Sequence, residues 1–337
     1  MKRASCIFSR FFAVLIVTVL LLAFFSGNSS LAVEVADEII TSAAAIVIDF
    51  DTGLVIFEYN AHEQRVPASM AKMIAAYIVL DAISDGIISF DTLVPTSAEN
   101  TAFSRVRAYS NIVMPTGSAF TVRELMEAAV VRSAGAATVQ MGEAVFETEE
   151  ATVAAMNEKM RELGIEAALF DSWGRSPLNM ISAHGMAEVT RSMINSHPVI
   201  LEITSMETIE FDGNSFNNTN FLLGEYEGID GFKTGFTNPA GWCFTGTAVQ
   251  NGRRIIAVTM GSLHGERFND TRILLDYGFN NVGTVITRQI MSEMSVNTPH
   301  AEIGSPFIPI PYFNVELAEH FTLRELAIIL NESHNRR

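Results

Sequence analysis

Cysteine and basic residues are scarce in this 337-residue chain, and each scarcity excludes a class of protein. Two cysteines are too few for a disulfide scaffold or a cysteine-rich zinc module. The 22 lysines and arginines are outnumbered by 38 acidic residues, which gives a formal net charge of −16. Because a nucleic-acid partner requires a basic face that displaces counterions from phosphates, this charge argues against one. The 48% share of hydrophobic residues is typical of a folded chain.

The main apolar run, residues 11–25, is too short to be typical of a membrane span. It has 15 residues, whereas a spanning helix uses roughly 20. Three basic residues precede the run and the small-x-small sequence Ser30-Leu31-Ala32 follows it, which is the order of a secretory signal peptide. We predict that residues 1–32 are a signal peptide and that the exported protein is extracellular, periplasmic or cell-wall associated. An uncleaved membrane anchor is the alternative.

Cleavage after Ala32 would make the remaining chain more acidic. It would keep 19 basic and 38 acidic residues, a net charge of −19, and Cys243 as its single cysteine. No intramolecular disulfide could then form, and we expect Cys243 to be a buried small hydrophobic residue. The acidity also counts against binding to an anionic membrane surface, so we expect weak or no membrane anchoring.

Strand patterns lie at both ends of residues 45–280, and helical patterns lie between them. A hairpin is predicted around Asp51-Thr52-Gly53, and Asn251-Gly252 is a strong two-residue hairpin turn. The predicted strands cover residues 45–57 as a hairpin, 228–235, 241–249 and 253–260, and the predicted helices cover residues 70–83, 121–131, 150–163, 182–194 and 268–277. This order predicts an α/β fold of the α+β type, in which an antiparallel sheet is flanked by helices and carries a helical subdomain. It argues against a doubly wound parallel sheet, in which strands and helices alternate.

Residues 285–337 differ in character from the rest. Three prolines between residues 306 and 311 interrupt regular structure, and a short helix is predicted to end near Leu330. We interpret this segment as a C-terminal tail, either docked or loose. A membrane-surface helix is the alternative, although its glutamates fit poorly with anionic lipid.

The sequence Ser69-Met70-Ala71-Lys72 opens the most apolar helical segment. A spacing of three places Ser69 and Lys72 on one face of a helix, one turn apart. A lysine whose pKa is lowered by burial can remove the serine proton, and the N–H groups of a helix N-terminus favour a developing oxyanion. The same pattern also arises by chance as a capping serine and a surface lysine.

A second signal, Lys233-Thr234-Gly235, lies in a predicted strand about 160 residues further on. Lys233 and Gly235 share one face of that strand, and Gly235 leaves the backbone open to a closely approaching ligand. A lysine and a hydroxyl here could bind a carboxylate. An edge strand with a solvated lysine is the plain alternative.

The order and separation of the two motifs carry more information than either motif alone. A Ser-x-x-Lys helix after a hairpin, followed by a Lys-Thr-Gly strand, resembles the low-molecular-weight penicillin-binding proteins, the D-alanyl-D-alanine carboxypeptidases of peptidase family S11. The resemblance covers most of residues 40–282, including FTVRELMEAAVVRSAGAA and GIDGFKTGFTNPAGWC. It implies the serine β-lactamase/DD-peptidase-like fold, with a catalytic domain over residues 38–284.

The resemblance also implies catalytic roles. Ser69 would be the acylated nucleophile, Lys72 its general base, and Ser133 the relay of a proton to the leaving amine. Peptidoglycan stem peptides would be the substrates and β-lactams would be covalent inhibitors. No metal or organic cofactor is implied.

The three residues of the second motif and the next residue, Phe236, are implied to bind substrate. Lys233 and Thr234 would hold the substrate carboxylate, with Gly235 next to them on the strand. The backbone N–H groups of Phe236 and Ser69 would form the oxyanion hole.

Three positions depart from the family pattern. Gly135, which we also assign to substrate binding, stands where the family's Ser-x-Asn motif has asparagine; a lost buried contact would cost ~1–3 kcal/mol, roughly ten- to hundredfold in rate. Restoring asparagine is therefore expected to give equal or higher activity. Trp173-Gly174-Arg175 replaces a His-Gly-Leu turn, and Arg267 is the nearest cation where relatives have a carboxylate-binding arginine.

Three functions remain open at this point. The preferred one is a penicillin-sensitive serine D-Ala-D-Ala carboxypeptidase. A β-lactamase or esterase on the same fold is the second, although fast deacylation usually needs an added base beyond Ser69 and Lys72. A degenerate, non-catalytic peptidoglycan-binding homologue is the third, and Gly135 motivates it.

Overall fold

A computed structural model of the chain describes residues 40–296. Its strands are β1 (Ala44–Asp49), β2 (Val55–Tyr59), β3 (Leu93–Pro95), β4 (Ala119–Thr121), β5 (Ala167–Ala168), β6 (Met180–Ile181), β7 (Thr208–Phe211), β8 (Asn214–Asn217), β9 (Ile229–Thr237), β10 (Gly241–Gln250) and β11 (Arg253–Ser262). Its helices are α1 (Ala71–Ser84), α2 (Ala98–Ser104), α3 (Val122–Val130), α4 (Gly135–Phe146), α5 (Glu149–Glu162), α6 (Ala183–Ser196), α7 (Ile200–Thr204) and α8 (Arg267–Val296). The predicted signal peptide and the predicted helix near Leu330 lie outside the described residues.

One five-stranded antiparallel sheet joins the two ends of the described chain. Its order is β2-β1-β11-β10-β9, and Val47 of β1 lies opposite Ala257 of β11. Asn251 and Gly252 both have positive φ, 50° and 75°, as a two-residue hairpin turn requires. The sheet confirms the predicted antiparallel α+β architecture. Strand β9 lies at the edge of this sheet.

The two faces of the sheet pack against different helices because successive side chains alternate between them. Ile46, Ile48 and Ile256 join the core of the helical region. On the other face, a Cβ placed on Gly278 of α8 would lie 2.8 Å from the Ile255 side chain. A glycine inside α8 therefore allows this helix to lie close to the sheet.

Helix α1 lies at the centre of the helical region. Eleven of its 14 residues are buried, including Tyr77 and Lys72, and it packs against α3, α4, α5 and α6. A helix that is apolar on every side is stable only when other elements surround it. The prediction of a buried helix after the Ser-x-x-Lys motif is confirmed, and it places Lys72 in the interior.

The helix boundaries follow their capping residues. Thr121 and Glu124 form a reciprocal capping box at the start of α3, and Ser182 caps α6. The predicted end of the last helix at residue 277 is wrong, because α8 continues to Val296 and no proline interrupts it. Residue 284, our predicted end of the catalytic domain, lies inside this helix. Across residues 40–296, no helix combines the length and apolarity that crossing a membrane requires.

Candidate active site

Ser69 lies in a 3₁₀ turn, Ala68–Met70, directly before α1. Ala68 has a φ of +49°, in the left-handed region that non-glycine residues rarely adopt. Backbone from two sides holds this Ser69 turn. A Cβ on Gly174 would lie 1.9 Å from the Ala68 carbonyl oxygen, and one on Gly235 would lie 2.6 Å from the Pro67 oxygen. Both glycines are needed because only hydrogen fits in these gaps.

The Lys72 amine lies next to the Ser69 hydroxyl. Its Nζ donates hydrogen bonds to Ser69 Oγ, at 2.9 Å, and to the carbonyl oxygen of Trp173. The side chain is 1% exposed. Burial lowers the pKa of Lys72 to about 7, although the charge of Asp171 acts to raise it. A large share of Lys72 is therefore neutral near pH 7, and a neutral amine at this distance can accept the serine proton.

The Trp173 carbonyl is positioned by a loop, residues 171–176, that winds around one carboxylate. Asp171 accepts hydrogen bonds from the backbone N–H groups of Gly174, Arg175 and Ser176. Asp171 thus stabilises the 171–176 loop and also lies near Lys72. Sequence reasoning did not identify Asp171, although an aspartate before a glycine-containing turn is a recognised local pattern.

Lys233 and Thr234 of β9 lie on the other side of the site. Lys233 is 1% exposed, and its pKa is held well below the ordinary value by burial and then by the charges of Lys72 and Arg267. Thr234 Oγ1 donates to Thr219 Oγ1 at 2.8 Å. The two motifs found in the sequence therefore meet in one place, with two lysine amines that disfavour each other's charge.

Arg267 is the third cation of the site, and its surroundings were not foreseen. The side chain is 7% exposed, and its guanidinium lies 4.7 Å from the ring centroids of both Trp242 and Phe268. Nη1 donates to the carbonyl oxygen of Gly235 at 3.1 Å. Burial lowers the pKa of Arg267 to about 10, so it stays charged at neutral pH. Arg267 therefore supports the backbone of β9.

Ser133 occupies the turn between α3 and α4. It has a φ of +65° and is buried. Within the described residues, no hydrogen bond joins its hydroxyl to Ser69 or Lys72. A relay through Ser133 would thus need a substrate atom or a water between these groups.

The space beside Gly135 is filled by an indole ring. A Cβ at this position would lie 3.0 Å from Trp173 Cε3 and 3.2 Å from Phe103 Cζ. The Asn111 side chain caps the helix that Gly135 begins, since its Oδ1 accepts the Ala136 N–H at 2.8 Å. Trp173 thus fills the space beside Gly135, and Asn111 caps its helix. Both residues come from other segments, so the Ser-x-Asn motif alone could not reveal them.

A cleft of about 260 Å³ opens over Ser69. Residues 173–175 of the 171–176 loop, Tyr109 and residues 236–238 at the end of β9 line this cleft. Because β9 is an edge strand, an extended peptide can lie along it. A serine beside a neutral amine, an edge strand and nearby cations together define a site for serine acyl transfer.

The family comparison agrees with this class of site. The family model described as "D-alanyl-D-alanine carboxypeptidase", peptidase family S11, matches residues 31–263. The chain belongs to this family, the low-molecular-weight penicillin-binding proteins, and it is therefore a hydrolase.

Curated relatives match over most of the chain. The D-alanyl-D-alanine carboxypeptidase DacF of Bacillus subtilis is 28% identical over 82% of this chain and 72% of its own length. DacD of Salmonella typhimurium is 31% identical over 73% of this chain and 65% of its own length. The chain thus spans about two thirds of the length of these relatives.

Solved structures share the fold. PBP3 of Streptococcus pneumoniae, described as a peptidoglycan synthesis regulatory factor, has a TM-score of 0.67 at 32% identity and covers 71% of this chain and 73% of its own. Penicillin-binding protein D2 of Listeria monocytogenes, in an ampicillin-bound form, has a TM-score of 0.63 at 28% identity. The match covers 71% of this chain and 98% of the Listeria chain.

Proposed function

We propose that this protein is a serine-type D-alanyl-D-alanine carboxypeptidase that removes the terminal D-alanine of peptidoglycan stem peptides through a Ser69 acyl-enzyme and is inhibited by β-lactams. The observation that carries the proposal is the buried Lys72 amine, with a pKa of about 7, at 2.9 Å from Ser69 Oγ. The Listeria relative that holds ampicillin supports the proposed β-lactam sensitivity.

In the proposed acylation step, three side chains and two backbone groups take part. Ser69 Oγ passes its proton to Lys72 Nζ and attacks the carbonyl carbon of the penultimate D-alanine. The N–H groups of Ser69 and Phe236 stabilise the oxyanion. The C–N bond then breaks, and the proton held by Lys72 passes through a bridging water and Ser133 to the departing D-alanine amine. Water hydrolyses the ester and restores the Ser69 hydroxyl.

Substrate orientation comes from the cationic end of the site. Lys233 and Thr234 bind the carboxylate of the terminal D-alanine, and Arg267 keeps β9 in place behind them through Gly235. A charge-assisted hydrogen bond is stronger than a neutral one, so a free terminal carboxylate is favoured over an amide.

The test compares the wild-type protein with Ser69→Ala. Both are incubated with a fluorescent penicillin and with diacetyl-Lys-D-Ala-D-Ala. We expect stable labelling and D-alanine release from the wild type and neither from the variant. Rapid loss of the label would support a β-lactamase instead. A wild-type protein that gives neither label nor D-alanine would support the non-catalytic homologue and overturn the proposal.

Gly135→Asn is expected to lower kcat/KM for D-alanine release about tenfold, because the new side chain displaces the Trp173 ring whose backbone carbonyl holds Lys72. This reverses the expectation drawn from the sequence. The double variant Gly135→Asn/Trp173→His, with a smaller ring, should recover part of the loss, and Gly135→Ala should lie between. Steady-state kinetics of the wild type and the three variants measures these effects. A Gly135→Asn variant as active as the wild type would show that the Trp173 ring does not restrict this position.

We also propose that the protein is exported after cleavage near Ala32. The basic start, the apolar run and the small-x-small site support this proposal. Mass spectrometry of the protein outside the cytoplasm should find a chain that begins at residue 33. An intact N-terminus that fractionates with membranes would favour the uncleaved anchor.

A further inference from the structure

Arg175 is an exposed cation on the wall of the cleft that contains Ser69. Its guanidinium lies over the ring of Tyr109, 5.4 Å from the ring centroid, and this contact restrains it beside the opening. In the part of the chain that the structure describes, no carboxylate lies within 4 Å of it. The neighbouring Asp171 carboxylate accepts hydrogen bonds from backbone N–H groups of the 171–176 loop, including that of Arg175 itself.

Arg175 has no carboxylate partner among the described residues, although the chain has a net charge of −16. It shares this state with Arg105 and Arg107, but of the described arginines only Arg175 lines the cleft that contains Ser69. A guanidinium presents several N–H donors in a planar fork that fits a carboxylate. The Arg175 guanidinium is therefore available to bind an anionic group of a ligand.

The direction of β9 decides which part of the substrate meets Arg175. Lys233 and Thr234, the proposed carboxylate ligands, come before the Ser69 turn along this strand, and residues 236–238 come after it. A peptide that places its terminal carboxylate at Lys233 and its reacting carbonyl at Ser69 must place its preceding residues along 236–238. These residues line the same cleft as Arg175.

We propose that Arg175 binds a carboxylate on the side chain of the residue that precedes the two D-alanines. The preferred substrate class is then a stem peptide whose diamino acid carries a free side-chain carboxylate, such as meso-diaminopimelate, over one that carries lysine. Tyr109 and Trp173 cover the aliphatic part of that side chain. This inference rests on the proposed carboxypeptidase activity and specifies its substrate.

The experiment uses two peptides that differ by one carboxylate. One is diacetyl-Lys-D-Ala-D-Ala, and the other has meso-diaminopimelate in place of lysine, with both amines acetylated. The readout is the ratio of kcat/KM for D-alanine release from the two peptides. We expect the wild type to favour the carboxylated peptide about five- to tenfold in kcat/KM at low salt. A charged hydrogen bond at a partly exposed site typically changes binding by about this factor. The ratio should fall as NaCl is added.

Arg175→Leu should reduce the ratio to about one, and Arg175→Glu should reverse it. Arg175→Lys keeps the charge without the fork and should fall between the wild type and the leucine variant. Arg161→Leu is the matched control, because it removes one exposed arginine that pairs with Glu158 on α5, away from the cleft. It should keep the wild-type ratio.

The possible outcomes separate this inference from the proposed function. Release of D-alanine from both peptides at equal rates by the wild type, or a preference that persists in Arg175→Leu, would overturn the assignment of Arg175 alone. Failure to release D-alanine from either peptide would overturn the carboxypeptidase activity and this inference with it. A second pair of probes, benzylpenicillin and its α-carboxylated analogue carbenicillin, should show the same preference in the rate of Ser69 acylation.

Discussion

Replacing Gly174 by alanine is expected to reduce acylation of Ser69 more than a hundredfold. A Cβ at this position would lie 1.9 Å from the Ala68 oxygen and 2.9 Å from the Ser69 nitrogen. Both neighbours are backbone atoms, so the 171–176 loop and the Ser69 turn must move apart. That movement separates Lys72 from the Trp173 carbonyl and displaces one proposed oxyanion N–H group, and misplacement by about 1 Å can cost hundredfold in rate.

The measurement is the rate of covalent labelling by fluorescent penicillin, together with the midpoint of thermal unfolding. Gly86→Ala is the matched control. Gly86 has a φ of +72°, close to the +83° of Gly174, but nothing lies within 4 Å of its Cβ position. Both variants carry the cost of a left-handed alanine, of order 1–2 kcal/mol. Equal labelling rates in the two variants would show that the close approach does not matter to the site.

Lys72→Met is expected to lower kcat/KM for D-alanine release by about 10²–10⁴, the range associated with general base catalysis. Burial sets the pKa of Lys72 to about 7, and the neutral amine is the active form. The wild-type rate should therefore rise with pH and level off above about pH 7. A methionine of similar length cannot accept the proton, so the residual activity of the variant should lose this rise.

The same variant has a distinguishable effect on stability. Folding lowers the pKa of Lys72 from 10.5 to about 7, so the folded state binds fewer protons than the unfolded state between these pH values. The free energy of unfolding therefore rises with pH across this window, and Lys233 acts in the same direction. Lys72→Met removes its share of this slope, which denaturant unfolding at pH 7 and pH 9 can measure. A less stable and inactive variant with an unchanged slope would point to a structural role only.

Local spacing was sufficient to predict the reacting pair. Ser69 and Lys72 are one helical turn apart, and the apolar residues around them require burial, so both their proximity and the depressed pKa of the lysine follow from local rules. The hairpins and the capping box at Thr121 are likewise properties of a few adjacent residues. These features survive in the structure because tertiary contacts agree with them.

Contacts between distant segments could not be predicted in this way. The Trp173 carbonyl reaches Lys72 across 101 positions of the chain, and the Trp173 ring fills the space beside Gly135. Arg267 lies 4.7 Å from each of two aromatic ring centroids, and it bonds to a strand residue that precedes it by 32 positions. No single motif encodes such pairings, since each depends on how the helical region closes on the sheet. The extension of α8 beyond residue 277 was missed because no breaking residue marks its end.

The pairing of β1 with β11 also has a consequence for how the molecule is made. Strand β1 pairs with the adjacent β2, but its other neighbour, β11, is complete only after synthesis has reached about residue 262. Contacts of such large sequence separation form slowly, because the entropy of closing the chain precedes the gain from pairing. A chain that lacks β11 has no strand between β1 and β10, so the N-terminal hairpin cannot join the sheet that contains β9. The N-terminal hairpin and the binding strand therefore belong to one sheet only once β11 lies between them.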